Sequence, residues 1–112
     1  MALEKSITRR GVTANYFFVT QLRYAKDEKS ASAALGLCVD AAHRAEVKAG
    51  RSQPLESIVA KVRLMKDDFD KYLTTGTVDD DKIIEQIYTA AKDGIGVISD
   101  LGSDIFATAQ DV

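Results

Sequence analysis

The sequence predicts a small α+β domain: an antiparallel sheet of three or four strands from the N-terminal half, packed with helices from the C-terminal half. Two patterns carry this reading. Across the first half, apolar residues recur at every second position, the period of a strand. In the second half they recur at three- and four-residue spacing, the period of a helix. A chain of 112 residues suits one domain, here residues 1–112, β-rich over 1–65 and helical over 66–112.

The elements follow in order. Leu3, Lys5 and Ile7 alternate with Glu4, Ser6 and Thr8 as a short strand, and Arg9-Arg10-Gly11 suits a hairpin turn. From Val12 to Tyr24, residues Val12, Ala14, Tyr16, Phe18, Leu22 and Tyr24 share one strand face, interrupted only by Thr20. Phe17 and Val19 point the other way, so the middle of this strand is expected to be covered on both sides. Lys26 to Lys29 is a polar turn. Ala31, Ala33, Leu35, Leu37 and Val39 then alternate with Ser32, Ala34, Gly36 and Cys38, a face of small residues that lets other groups approach closely. The Ala and Leu content also suits a helix, but the clean alternation after a polar turn favours a strand.

Asp40 to Gly50 suits a short helix or a structured loop, with Gly50 as its C-terminal stop. Pro54 opens the next strand, in which Ile58, Ala60, Val62 and Leu64 face one way and Ser57, Lys61 and Arg63 the other. Val59 interrupts the polar side. Lys66 to Leu73 gathers Phe69, Tyr72 and Leu73 on one side of a short helix, and Thr74 to Thr77 breaks it. Thr77 or Asp79 can cap the next helix, where Asp79, Asp80 and Asp81 complement the helix dipole. Ile83, Ile84, Ile87, Tyr88 and Ala91 form its apolar stripe, and Gly94 and Gly96 end it. The tail keeps Val97, Ile98, Leu101, Ile105 and Phe106 apolar and is expected to pack as a further helix.

The composition is that of a globular chain, with 46% hydrophobic and 29% charged residues. A net charge of −2 argues against a general nucleic-acid binder. The charge is unevenly placed. Through Lys66 there are twelve Lys and Arg against six Asp and Glu, a balance of +6; from Asp67 onward there are three against eleven, a balance of −8. Solvated helix faces explain the acidic half in the ordinary way. The sharper reading is a polar molecule whose basic end meets a neighbour's acidic end. A single cysteine, Cys38, excludes an internal disulfide, and its small apolar neighbours suit a buried residue. No apolar run reaches the roughly 20 residues of a membrane span, and the N-terminal segment lacks the apolar core of a signal peptide. A cytosol-like environment is expected, at least until assembly.

No catalytic residue, cofactor site or metal site is expected. His43 is the only histidine and has no companion at ligand spacing, so its replacement by Ala is expected to leave stability unchanged. The Asp79-Asp80-Asp81 run lacks the alternating ligands, central glycine and terminal Glu of a calcium loop. Gly94-Ile95-Gly96 lacks the rest of a phosphate-binding loop. Arg9 and Arg10 near Tyr16, Phe17 and Phe18 suggest nucleic acid only weakly, because those aromatics alternate as core residues do.

The order of the motifs resembles a family. Met1-Ala2-Leu3, Lys5, Ile7-Thr8, Gly11-Val12 and Asn15-Tyr16 are followed by the connector HRAEVKAG, the Pro-led strand QPLESIVAKVRL, the acidic aromatic motif KDDFDKYL and the helix IIEQIYTAAKD. The chain closes on Phe106-Ala107 and Asp111-Val112. In this order they resemble small structural proteins of tailed-bacteriophage virions, of the tail or neck module. The resemblance implies a non-enzymatic virion component acting in several copies, with other virion proteins and copies of itself as partners. It implies no nucleic acid, membrane or small-molecule substrate. The alternative is a small cytoplasmic protein-binding or regulatory module. Two contacts are expected: the N-terminal edge strand from Leu3 to Thr8 or the strand beside it, and a charge-complementary surface. The candidate interface residues are Leu3, Lys5, Ile7, Arg9, Arg10, Asp79, Asp80, Asp81, Ile105 and Phe106, with Arg23 and Asp104 extending the two charged sides. Ile105 and Phe106 suit the chain's own core equally well.

Overall fold

Arg10 and Gly11 adopt φ of +54° and +76°, both left-handed, which is the backbone of a two-residue hairpin turn. This turn joins β1 (Leu3–Arg9) to β2 (Val12–Ala25) in antiparallel pairing. The computed structural model describes residues 2–73 and 79–112. The break expected at Thr74 to Thr77, and Thr77 as a cap, lie outside them.

The polar turn Lys26–Lys29, with Lys29 at φ +48°, leads into β3 (Ser30–Cys38). Asp40 caps α1 (Ala41–Lys48) by accepting the His43 amide at 2.8 Å, and Gly50 follows the helix at φ +79°. Next come β4 (Glu56–Met65), α2 (Asp67–Leu73) and α3 (Asp80–Lys92). Of the two caps considered for α3, Asp79 serves, accepting the Lys82 amide at 2.8 Å. The sheet is antiparallel with six strands in the order β5-β4-β3-β2-β1-β6; β5 (Val97–Ile98) and β6 (Gln110–Asp111) are two-residue strands added at its two edges. The four long strands are those expected from the alternation.

The tail departs from expectation. It forms no helix: glycines 94, 96 and 102 all have positive φ and interrupt any helical turn. Gly96 is held against β4, its carbonyl accepting the Arg63 amide at 2.9 Å, and a Cβ there would lie 2.2 Å from the Arg63 carbonyl oxygen. The chain then returns along β1, where Ala2 and Val112 exchange amide–carbonyl bonds at 3.0 Å. Lys92 fixes this end to α3 through Asp111 at 2.6 Å.

Of the three register shifts in the sheet among the described residues, the one between Val19 and Gln21 and the one in β4 divide the expected faces. Between Val19 and Gln21 β2 advances two residues while β3 moves one, from Leu35 to Ala34, so Thr20 is extra. The alternation therefore changes phase. Phe17 and Val19 face the core before it, and Leu22 and Tyr24 after it, while Tyr16 and Phe18 lie in a second cluster with Cys38 and Val47. The single face expected for Tyr16, Phe18, Leu22 and Tyr24 is thus divided. In β4 the register against β3 slips between Glu56 and Ala60, so Val59 is buried and Ile58, expected in the core, is 45% exposed.

The main core lies between the inner sheet face and α2 and α3. Phe17, Leu35, Leu37, Val62 and Leu64 meet Phe69, Leu73, Ile83, Ile87 and Tyr88 there. Phe106 closes it, packed edge-on to Phe17 with ring centroids 5.0 Å apart. Each such large apolar side chain contributes about 1.5–3 kcal/mol by leaving water. Tyr24 stacks on Phe69 at 5.7 Å, joining the far end of β2 to α2. α1 covers one end of the outer face, with Arg44 4.1 Å from the Phe18 ring centroid.

Candidate functional site

The remainder of the outer face is open. In β2, β3 and β4 the residues alternating with the core set are Gln21 and Arg23, Ser32 and Ala34, and Lys61 and Arg63. Register lines them up in two rows across the strands. Arg23, Ser32 and Arg63 form one row; Gln21, Ala34, Lys61 and Ile98 form the other. These residues line a shallow concavity whose floor is small and whose walls are cationic. Arg23, Lys61 and Arg63 are exposed and enter no ion pair among the described residues. Lys61 and Ile98 also border a second hollow with Ile58, Val59 and Ala60, so an apolar margin adjoins the basic rows. Ile98 there is 59% exposed.

The expected interface residues fall elsewhere. Leu3 and Phe106 are fully buried within the chain and present nothing to a partner. Ile7 and Ile105 are partly buried against the same core. The first part of the β1 edge is occupied by β6, and the Lys5 ammonium donates to the Thr108 hydroxyl. β2, the strand beside β1, lies inside the sheet between β1 and β3. Arg9 donates to Glu56 at 2.6 Å and to Asp100 at 2.9 Å, and Arg10 lies 3.9 Å from Glu56. Those carboxylates, Glu56 first, raise the Arg9 guanidinium above its ordinary value. Arg9 is therefore matched inside the chain, Arg10 stays largely exposed beside Glu56, and Arg23 remains on the open face. Asp79 is engaged as the cap of α3, whereas Asp80 and Asp81 are exposed and unpaired among the described residues, and Asp104 is exposed.

The other reactive groups have structural partners. His43 Nδ1 accepts the Val39 amide at 3.0 Å, which leaves Nε2 to carry the proton and donate to the Gln53 carbonyl at 2.9 Å. The ring thus joins the end of β3 to the loop before β4, a role a lone histidine does not announce in sequence. Cys38 is fully buried, and burial pushes its thiol up, away from the reactive thiolate. Tyr88 accepts the Val19 amide at 3.0 Å, and burial pushes its phenol up to about 12. Burial, and next its bond to Asp93 at 2.7 Å, moves Tyr72 to about 12 as well. Among the described residues, no group of three or more His, Cys, Asp or Glu is placed to hold a metal ion, and no helix is long and apolar enough to cross a membrane.

What the sequence did not reveal is the convergence of Arg23 on β2 with Lys61 and Arg63 on β4, which lie far from it along the chain. The only available signal was that each occupies a polar position in an alternating strand. No protein-family model matches the chain, and no curated protein or solved structure matches it either.

Proposed function

We propose that the chain is a structural component of a tailed-phage particle, seated in the tail or neck and working in several copies. The observation that carries this reading is the open basic sheet face, whose cations enter no ion pair among the described residues, while the helical side bears carboxylates that likewise enter none there. A surface of this kind suits a contact between proteins, because opposed charge sets orientation and encounter rate. The motif order resembling small virion proteins supports the same reading. The sheet, with short strands of the C-terminal tail added at both edges, is a framework on which such a surface can be presented. Partners on this reading are other virion proteins and further copies, with no catalytic step. The protein is made in the host cytoplasm and resides in the virion.

A nonsense codon introduced early in the gene tests the reading. Particles should stall with the tail or neck incomplete in negative-stain images, and supply of the chain in trans should restore them. Complete, infectious particles made without the chain would rule the role out.

A further inference from the structure

The cations of the open face and the anions of the helical side lie on opposite sides of the sheet. Arg23, Lys61 and Arg63 alternate with Leu22, Tyr24, Val62 and Leu64, which point to the helices. Asp67 opens α2, and Asp80 and Asp81 open α3; all three are exposed, without an ion pair among the described residues. One molecule therefore carries both halves of a complementary contact and cannot close it on itself.

We propose that the basic outer face of one copy seats the acidic starts of α2 and α3 from a second copy, head to tail. This rests on the reading of the chain as a multi-copy component and names the contact by which copies meet. The small floor at Ser32 and Ala34 leaves room for carboxylates between the two rows. Arg23 and Arg63 flank Ser32 across two strand spacings, about 10 Å, so each can take a separate carboxylate. Ile98 at 59% exposure and Ile58 at 45% supply apolar surface at the margin. Nucleic acid fits less well. The aromatics on the outer face, Tyr16 and Phe18, lie in the cluster that α1 covers, which leaves bases no stacking platform on the open part. A face that meets a different face propagates, closing as a ring or continuing as a stack, and both suit a tail or neck.

Sedimentation velocity of the full chain tests this at low salt, about 50 mM, and high salt, about 500 mM, where exposed charges are screened. Wild type should associate at low salt and dissociate at high salt. The reversed-face variant Arg23→Glu/Arg63→Glu and the reversed-helix variant Asp80→Lys/Asp81→Lys should each associate about tenfold more weakly or worse, and their equimolar mixture should regain association. Circular dichroism reports folding, and the neutral pair Arg23→Gln/Arg63→Gln decides the matter if a reversed variant fails to fold. A wild type that stays monomeric at low salt would overturn the contact. Association indifferent to both reversals would do so too, as would a wild type that instead binds a single-stranded oligonucleotide through Arg23 and Arg63. If the contact fails while particles still contain several copies, only this contact is wrong; absence of the chain from particles removes the role itself.

Discussion

The hydroxyl of Thr20 reaches across β3 and donates to the carbonyl of Ser57 at 3.0 Å, passing over Gly36. The crossing joins the two bulges, one in β2 and one in β4, and Gly36 is the position that permits it. A Cβ at 36 would lie 2.7 Å from the Thr20 methyl, 3.0 Å from the Ser57 carbonyl oxygen and 3.1 Å from that of Glu56. Gly36→Ala should therefore destabilise by roughly 1–3 kcal/mol, as overpacking does. Thr20→Ser removes the methyl but keeps the hydroxyl, so the same change in that background should cost less. Urea unfolding of the four variants in the double-mutant cycle measures the coupling. Additive effects would show that the two residues do not share this space.

Ile87 is fully buried beneath the sheet, at the centre of the α3 stripe. Ile87→Ala should cost roughly 2–5 kcal/mol, the range for truncating a large core aliphatic. A denaturant midpoint that does not move would contradict the packing of α3 on the inner face.

His43 carries a structural load that its isolation in sequence hid. His43→Ala removes the acceptor of the Val39 amide and the donor to the Gln53 carbonyl. The loss should be about 1–3 kcal/mol, and hydrogen exchange at the Val39 amide should accelerate in step. Wild-type stability with unchanged exchange at Val39 would show that the ring does not hold this corner.

High pH should unfold the protein through its tyrosines. Tyr72 and Tyr88 both titrate near 12 in the folded chain, against an ordinary value of 10. Folding thus favours the protonated phenols. That contribution is complete below pH 10 and is lost as pH rises through 12. For the buried Tyr88, a shift of two units corresponds to about 3 kcal/mol at most. Denaturant midpoints measured through this window should fall steeply, and phenolate absorbance should rise with unfolding. Measured in a Tyr16→Phe/Tyr24→Phe background, which leaves Tyr72 and Tyr88 as the remaining tyrosines, phenolate formation near pH 10 in a still-folded protein would contradict the burial.

The strands were legible because alternation is a property of each segment alone. Arg10-Gly11, Gly50 and Asp79 were legible for the same reason, since turns and caps are set by local chemistry. What escaped depended on partners. The phase change at Thr20 exists only against β3, and the exposure of Ile58 only against the same strand. Ile98, Leu101 and Ile105 are spaced as on a helix, yet the glycines 94, 96 and 102 turn the tail back onto both sheet edges. Arg9 and Arg10 looked free until Glu56 and Asp100 were brought beside them. The basic rows are a property of register across β2, β3 and β4, which no single segment displays.

On the proposed function, this chain is built into particles in several copies. Absolute quantitation by mass spectrometry of gradient-purified particles, from the genome that encodes the chain, tests it most directly. The account predicts a fixed number of copies above one per particle, retained through purification. A chain recovered only in the particle-free fraction would contradict it.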